Sequence, residues 1–519
     1  MSDLEKAMPT EVIDKKASSD ESYNVEKHEG DVEQAPGLGF FNKAALFLNA
    51  EVKGVEVVTD EEKTEDSIIN ALTMWLSANL VIAAFSLGAL GVTVFGLTFW
   101  QSFVVILFFT LLGSLPVAFF SIFGPKLGLR QIFLSKFLIG HVTMRIFAFI
   151  NIVACVGWGA VNIMASAQLL HIVNNGLLPP WAGCLILILL TILVTFFGYH
   201  VIHLYEKWCW IPNAIIFLII IVRMGMSDTF TGVNADGEKF PGGAATIGGV
   251  MSFGGTVYGF ATGWTTYASD YTVYQPRNAN STKIFIAIFC GLFFSLVFTL
   301  TLGAACATGT LTNTRWAELY DNYSIGGLCY AILVEDQLHG FGQFCCVLLA
   351  LSTVANNIPN MYSIALSAQA FWSPLNKVPR VFWTIAGNFV TLAICIPGYY
   401  HFEAVMDNFM NLIGYYLAIY QAMCFSEHFI WRRGDFSTYD YMNSNDSSKY
   451  PVGYAGVFGF CCGAAGVVLG MDQTWYAGVL AKKVGDPAYG GDIGFELAFA
   501  FAALGFNAVR PLEKKYTGK

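Results

Sequence analysis

Runs of about 20 consecutive apolar residues recur along most of this chain, and nothing else in it constrains the fold as tightly. A segment of that length and character crosses a bilayer as a helix, because lipid offers no partner to exposed backbone groups. Twelve such segments, spans 1 to 12, lie near residues 70–95, 101–123, 144–170, 181–199, 208–226, 248–271, 283–306, 341–368, 380–397, 403–430, 452–471 and 491–509. The composition agrees, with 55% of the 519 residues hydrophobic and only 13% charged. Between spans 2 and 3, the stretch GPKLGLRQIFLSKFLIG is partly amphipathic and is expected to lie at the interface or to re-enter.

Charge divides the chain further. Residues 1–66 hold 17 acidic and 7 basic residues, whereas the rest holds 20 and 21, so the net −9 comes from the N-terminal segment. That segment reads as an acidic cytosolic tail, largely disordered up to about residue 40. It does not resemble a cleavable signal peptide. Its lysines and serines are open to cytosolic regulators, although a solvated tail is the simpler reading. The expected layout is the tail over 1–66, a ten-span core over 67–430, and two peripheral spans with a short cytosolic C-terminus over 431–519. With the N-terminus inside, fifteen Lys and Arg residues fall on the cytosolic side and five outside, which places both ends in the cytosol. The twelve cysteines are scattered, with no metal-ligand spacing, and read as small core residues.

Four spans depart from plain apolar helix. Span 1 contains FSLGALGVTVFG and span 6 contains SFGGTVYGFATGWTTYASDY, both interrupted by glycines. Close helix packing explains such glycines too, and Gly255 with Gly259 fits that pattern. Span 3 carries Trp158 and Asn162 one turn apart, and span 8 carries ANNIPN, with Asn356, Asn357, Pro359 and Asn360. Amides and a proline in mid-membrane are costly unless they face a cavity or a partner. If spans 1–5 and 6–10 form an inverted repeat, span 1 corresponds to span 6 and span 3 to span 8. Unusual helices then fall in matching positions of two halves, the sequence sign of a transporter's midplane site. Breaks are expected near Gly88–Gly91 and Gly259–Gly263.

The stretches GWGAVN, GFATGWTTYASDY, ANNIPNMYS and GGDIGFELAFAFAAL resemble the nucleobase–cation symporters, and within them the fungal purine–cytosine permeases. The resemblance runs from about residue 40 to the end of the chain. It implies the leucine-transporter fold: an all-α polytopic membrane protein of twelve transmembrane helices, ten of them in a 5+5 inverted repeat and two peripheral. It also implies substrate-binding roles for Trp158, Asn162, Gly263, Trp264, Asn357, Pro359 and Asn360. Ser86 is the expected polar contact from span 1, with Ser77 as a substitute. A serine there also suits a hydroxyl bonded to its own helix.

Read from the residues, the site offers two indoles, which stack on flat rings, and amides that donate and accept. No unpaired charge falls at the centre of spans 1, 3, 6 or 8, which disfavours an ionised substrate. A neutral planar heterocycle fits: cytosine, adenine, guanine or hypoxanthine, the set the resemblance also implies. Asn162 and Asn360 are expected to meet the base from opposite sides. The fungal branch implies proton symport across the plasma membrane, with the proton as coupling ion, no other cofactor and no metal. Ser352 and Thr353 are hydroxyls of the kind a sodium site needs. Asp270, Glu206, Glu403, Asp407 and Glu427 sit near span ends, and none stands out as proton carrier. The expected partners are a nucleobase and the bilayer, not nucleic acid. A carrier of allantoin, uracil or thiamine is the alternative within the family. A nucleobase receptor that does not transport is another, and no constellation of nucleophile and base points to an enzyme.

Overall fold

A computed structural model describes residues 56–519 apart from 66, 197–207, 235, 373, 376–377, 379, 445 and 487–489. The tail up to residue 55, with His200, His203, Glu206, Lys207 and Lys377, lies outside the described residues.

Each expected span coincides with a helix or a broken pair. Span 1 is Ile68–Asn79 followed by Ile82–Thr93, span 2 Phe99–Ser121, span 3 His141–Val173, span 4 Pro180–Phe196 and span 5 Trp210–Met226. Span 6 is Ala244–Thr262 continued by the 3-10 turn Thr265–Tyr271, and span 7 is Ser281–Ala307. Spans 8 to 12 are His339–Phe371, Arg380–Gly398, Phe402–Phe425, Tyr454–Gly470 and Gly494–Thr517. By length and apolarity alone, six helical stretches of the described residues can cross a membrane, or seven if the bent pair of span 1 is counted as one. One of the six, Phe382–Trp431, contains both spans 9 and 10. Span 11 is a shorter apolar helix, and span 6 stops as an α-helix at Thr262.

Span 3 packs along span 8, span 7 along both halves of span 1, and span 6 between spans 2 and 10. Spans 11 and 12 pack on each other, and span 12 lies along span 10. Glycine notches set these contacts. A Cβ on Gly88 would fall 1.9 Å from the Leu300 carbonyl oxygen, and one on Gly259 1.9 Å from that of Met410. Gly88, Gly91 and Gly259 therefore serve close packing, and the expected break at Gly88–Gly91 is not there. Span 1 bends by 54° earlier, where Val81 is extended at φ −132° and ψ 158°. Span 8 supplies what that break exposes. The Ser352 hydroxyl accepts from the Ile82 amide at 3.3 Å, and Asn356 Nδ2 donates to the Ala78 carbonyl at 2.5 Å. The break forms where polar partners wait for the freed backbone groups, not where glycine permits it.

Further parts lie between the twelve spans, and one of them, the segment after span 2, is the stretch expected at the interface or as a re-entrant loop. Thr314–Leu333, between spans 7 and 8, is helical with a kink at Ser324, and its mixed polarity hides it from a search for apolar runs. The segment after span 2 folds into three short helical turns, Phe123–Leu127, Gln131–Leu134 and Lys136–Ile139. They are buried against the lower half of span 6, where the Gln131 amide donates to Asp270 Oδ1 at 2.7 Å and Arg130 to the Asp270 carbonyl at 2.7 Å. Between spans 11 and 12 stands a small hairpin, Asp472–Gln473 with Tyr476–Ala477. Glu513 of span 12 caps span 11 by accepting from the amides of Gly453, Tyr454 and Ala455.

Candidate functional site

The two broken helices and the two amide-bearing helices meet. Span 6 loses its α-helical form at Gly263, and Tyr267 within the following turn has non-helical backbone angles of φ −139° and ψ 20°. Gly263 itself is helical, at φ −52°, so glycine is required there for space. A Cβ on it would lie 2.4 Å from Cζ2 of Trp158. The Trp158 indole is boxed edge-on by Phe260 of span 6 and Phe409 of span 10, with ring centroids 5.1 and 5.7 Å away. Trp264 stands edge-on to Trp75 of span 1 at 5.2 Å and to Tyr267 at 5.5 Å.

The amides form one wall rather than two. Asn162 Nδ2 donates to Asn356 Oδ1 at 2.6 Å and to Asn357 Oδ1 at 3.3 Å, because spans 3 and 8 lie side by side. Asn360, one turn further, accepts from the Tyr267 hydroxyl at 3.1 Å and donates to the Asn356 carbonyl at 3.2 Å. It meets the turn of span 6 and does not oppose Asn162. Pro359 lies inside the same helix and has no amide to return to it. Ser86 donates to the Ile82 carbonyl of its own helix at 2.8 Å, the local use of a serine hydroxyl.

Four polar atoms in this region are buried without a partner: Trp75 Nε1, Trp158 Nε1, Asn162 Oδ1 and Asn357 Nδ2. A buried donor or acceptor left unpaired costs about 1–3 kcal/mol. Three donors and one acceptor beside aromatic surfaces match the edge of a flat heterocycle, which carries both kinds of group. Trp158 and Trp264 are 4% and 3% exposed and the three asparagines at most 1%, so the site is sealed in this conformation.

Sequence reasoning singled out neither Trp75, Tyr267 and Phe409 nor the bridging role of Asn356. Asn356 was visible in the run of span 8, but its reach to Ala78 depends on the bend of span 1. The rings carry no local signal, since an aromatic in an apolar helix looks like core. Among the described residues, no group of three His, Cys, Asp or Glu side chains is placed to hold a metal ion.

Residues 57–490 match the family described as permease for cytosine/purines, uracil, thiamine, allantoin. The chain is 54% identical over 517 residues to the purine-cytosine permease FCY2 of Saccharomyces cerevisiae, covering 99% of this chain and 95% of that protein. It is 46% identical over 480 residues to the purine-cytosine permease fcyB of Emericella nidulans, covering 92% and 91%. In structure it is similar to Mhp1, a nucleobase-cation-symport-1 family transporter in a closed conformation with bromovinylhydantoin bound. The TM-score is 0.67 over 90% of this chain and 97% of that one, at 15% identity, which shows the leucine-transporter type of fold. With the fold, the broken helices and this extent of similarity together, the chain belongs to the family of permeases for cytosine and purines, uracil, thiamine and allantoin, and is a multi-pass membrane transporter.

Proposed function

We propose that this protein imports cytosine and the purine bases adenine, guanine and hypoxanthine across the plasma membrane by proton symport, with both termini cytosolic. The observation that carries this reading is the set of unpartnered polar atoms on Trp158, Asn162 and Asn357 of spans 3 and 8, packed beside the break of span 6. Trp158 and Trp264 supply stacking surfaces. Asn162, Asn357 and Asn360 read the edge of the base, while Gly263 and Pro359 shape the helices that hold them. The ten spans over 67–430 act as the moving core and residues 431–519 as its peripheral pair.

Proton coupling is the reading that the resemblance to the fungal purine–cytosine permeases implies. At the span 1 break the Ala78 carbonyl and the Ser352 hydroxyl accept from N–H donors, and the Thr353 hydroxyl donates to the Asn162 carbonyl at 3.1 Å. Uptake of radiolabelled cytosine, in cells lacking other base carriers, tests the reading. Accumulation is expected to be competed by adenine and abolished by a protonophore. Competition by allantoin, uracil or thiamine but not by adenine would move the substrate within the family. Sodium-dependent uptake that survives the protonophore would overturn the coupling.

A further inference from the structure

We infer that Asp407 is the residue that takes up the co-transported proton, and that Asn411 reads its protonation state at the contact between spans 6 and 10; this rests on the proton-symport reading above.

Asp407 lies early in span 10. Its Oδ1 accepts from the Thr256 hydroxyl of span 6 at 2.8 Å and from Asn411 Nδ2, one turn on, at 2.9 Å. Asn411 Nδ2 also donates to Thr256 Oγ1 at 3.3 Å. No Lys, Arg or His among the described residues forms an ion pair with Asp407. The charged groups that face it are acidic: Asp492 and Asp472, from the segment joining spans 11 and 12. Glu496 of span 12 lies beyond Asp492, and Lys482 acts on Asp472. On span 10 itself, Glu403 is hydrogen-bonded by Ser324 and Tyr415 donates to Asp492. A carboxylate in a membrane helix with no neutralising cation is expensive, and a proton is the simplest group that removes the charge.

The second observation is Asn411. It is 1% exposed, and its Oδ1 has no donor. The amide gives both of its N–H contacts to the ionised arrangement and leaves its acceptor unused. A proton on Asp407 supplies the missing donor once the amide turns over. Ionised, the amide donates to the carboxylate; protonated, the carboxyl donates to the amide oxygen. Two hydrogen-bonding states therefore exist across one helix contact, where Gly255 leaves the room: a Cβ there would lie 2.7 Å from Asn411 Oδ1.

Glu496 of span 12 also leaves Oε2 without a partner, whereas three other carboxyl groups near span ends are held by fixed donors. Glu427 lies between Arg432 and Arg510, at 3.1 and 2.7 Å. Asp492 collects donors from Tyr415, Gln473 and the amides of Asp472 and Gly494. Asp270 holds the amide of Gln131.

Asp407 is also connected to the site. Phe409, on the same helix, is the ring that boxes Trp158. Thr256 lies on the helix that leads to the break at Gly263. A proton entering from outside forms an O–H bond at Asp407 and remakes the contact of spans 6 and 10. After reorientation that bond breaks and the proton leaves to the cytosol. Nothing is oxidised or reduced.

The test is Asp407→Asn in cells or proteoliposomes with an imposed pH gradient and membrane potential. The wild type is expected to accumulate cytosine up to roughly 50-fold per 100 mV of inside-negative potential for one proton per base. In Asp407→Asn the ratio is expected to fall to about one, and cytosine exchange to lose its pH dependence. Thr256→Val keeps the carboxyl but removes a donor to its ionised form, so the pH midpoint of wild-type uptake should move upward. Proton-driven accumulation retained in Asp407→Asn overturns this proposal alone. Accumulation in the wild type driven by sodium overturns the coupling reading and this proposal with it. If Asp407→Asn does not reach the membrane, an unshifted pH profile in Thr256→Val overturns the assignment.

Discussion

Gly263 and Trp158 share a contact too tight for any side chain: a Cβ on the glycine would lie 2.4 Å from the indole. The break in span 6 and the aromatic wall of span 3 are thus one feature. Gly263→Ala should push the indole out of place while leaving the helix φ allowed. Overpacking of this kind costs about 1–3 kcal/mol, and the loss should appear as cytosine affinity rather than surface amount. Wild-type affinity in Gly263→Ala would show that the indole moves without consequence.

The two indoles are placed differently. Trp158 and Trp264 should each lose base affinity on replacement by Ala, by about 1–3 kcal/mol if both stack. Phe at either position should retain part of it. Affinity measured together with surface amount decides, and unchanged affinity in both Ala variants would make the two tryptophans packing residues.

The asparagines of span 8 should separate by role. Asn356 bridges Ala78 and Asn162, so Asn356→Ala breaks two buried bonds and should reduce delivery to the membrane. Asn357 leaves Nδ2 unpartnered, so Asn357→Ala should reduce affinity in protein that still arrives. Asn162→Asp should be worse than Asn162→Ala, because it places a charge where an NH₂ donor stood. Equal loss of delivery with normal affinity in the Asn162, Asn357 and Asn360 alanine variants would reduce these amides to helix glue.

Lys136, in the segment between spans 2 and 3, is 2% exposed and donates to the Ser444 carbonyl at 2.5 Å. Burial pushes its ammonium down to about 7, against about 10.4 in an unfolded chain. Between those values the folded protein binds fewer protons, so this group makes stability rise with pH. Its cost is full below about pH 7 and vanishes above about pH 10. Lys136→Met should remove that slope, gaining most over the wild type near about pH 6 in thermal unfolding of the purified protein. A difference from wild type that is the same at every pH would contradict this.

The spans were legible because apolar length is a direct consequence of lipid, and all twelve positions hold a helix or a broken pair. The breaks were only half legible. Gly263 lies at one, but Gly88 and Gly91 sit inside a helix, since glycine serves both close approach and flexibility and the sequence does not say which. The true break of span 1 depends on Ser352 and Asn356, distant in the chain. The amides were visible as anomalies in apolar helices. Their arrangement was not, because whether Asn360 faces Asn162 or Tyr267 is set by how spans 3, 6 and 8 pack. Thr314–Leu333 has too mixed a polarity for a span and was passed over.

On the proposed function, a buried site of two indoles and three amides carries neutral bases on a proton gradient. Uptake of radiolabelled cytosine, with external alkalinisation recorded in the same cells lacking other base carriers, measures it directly. Protons are expected to enter with cytosine, excess adenine to suppress both signals together, and Trp158→Ala to lower both. Cytosine accumulation without proton entry, or untouched by adenine, would contradict the proposed function.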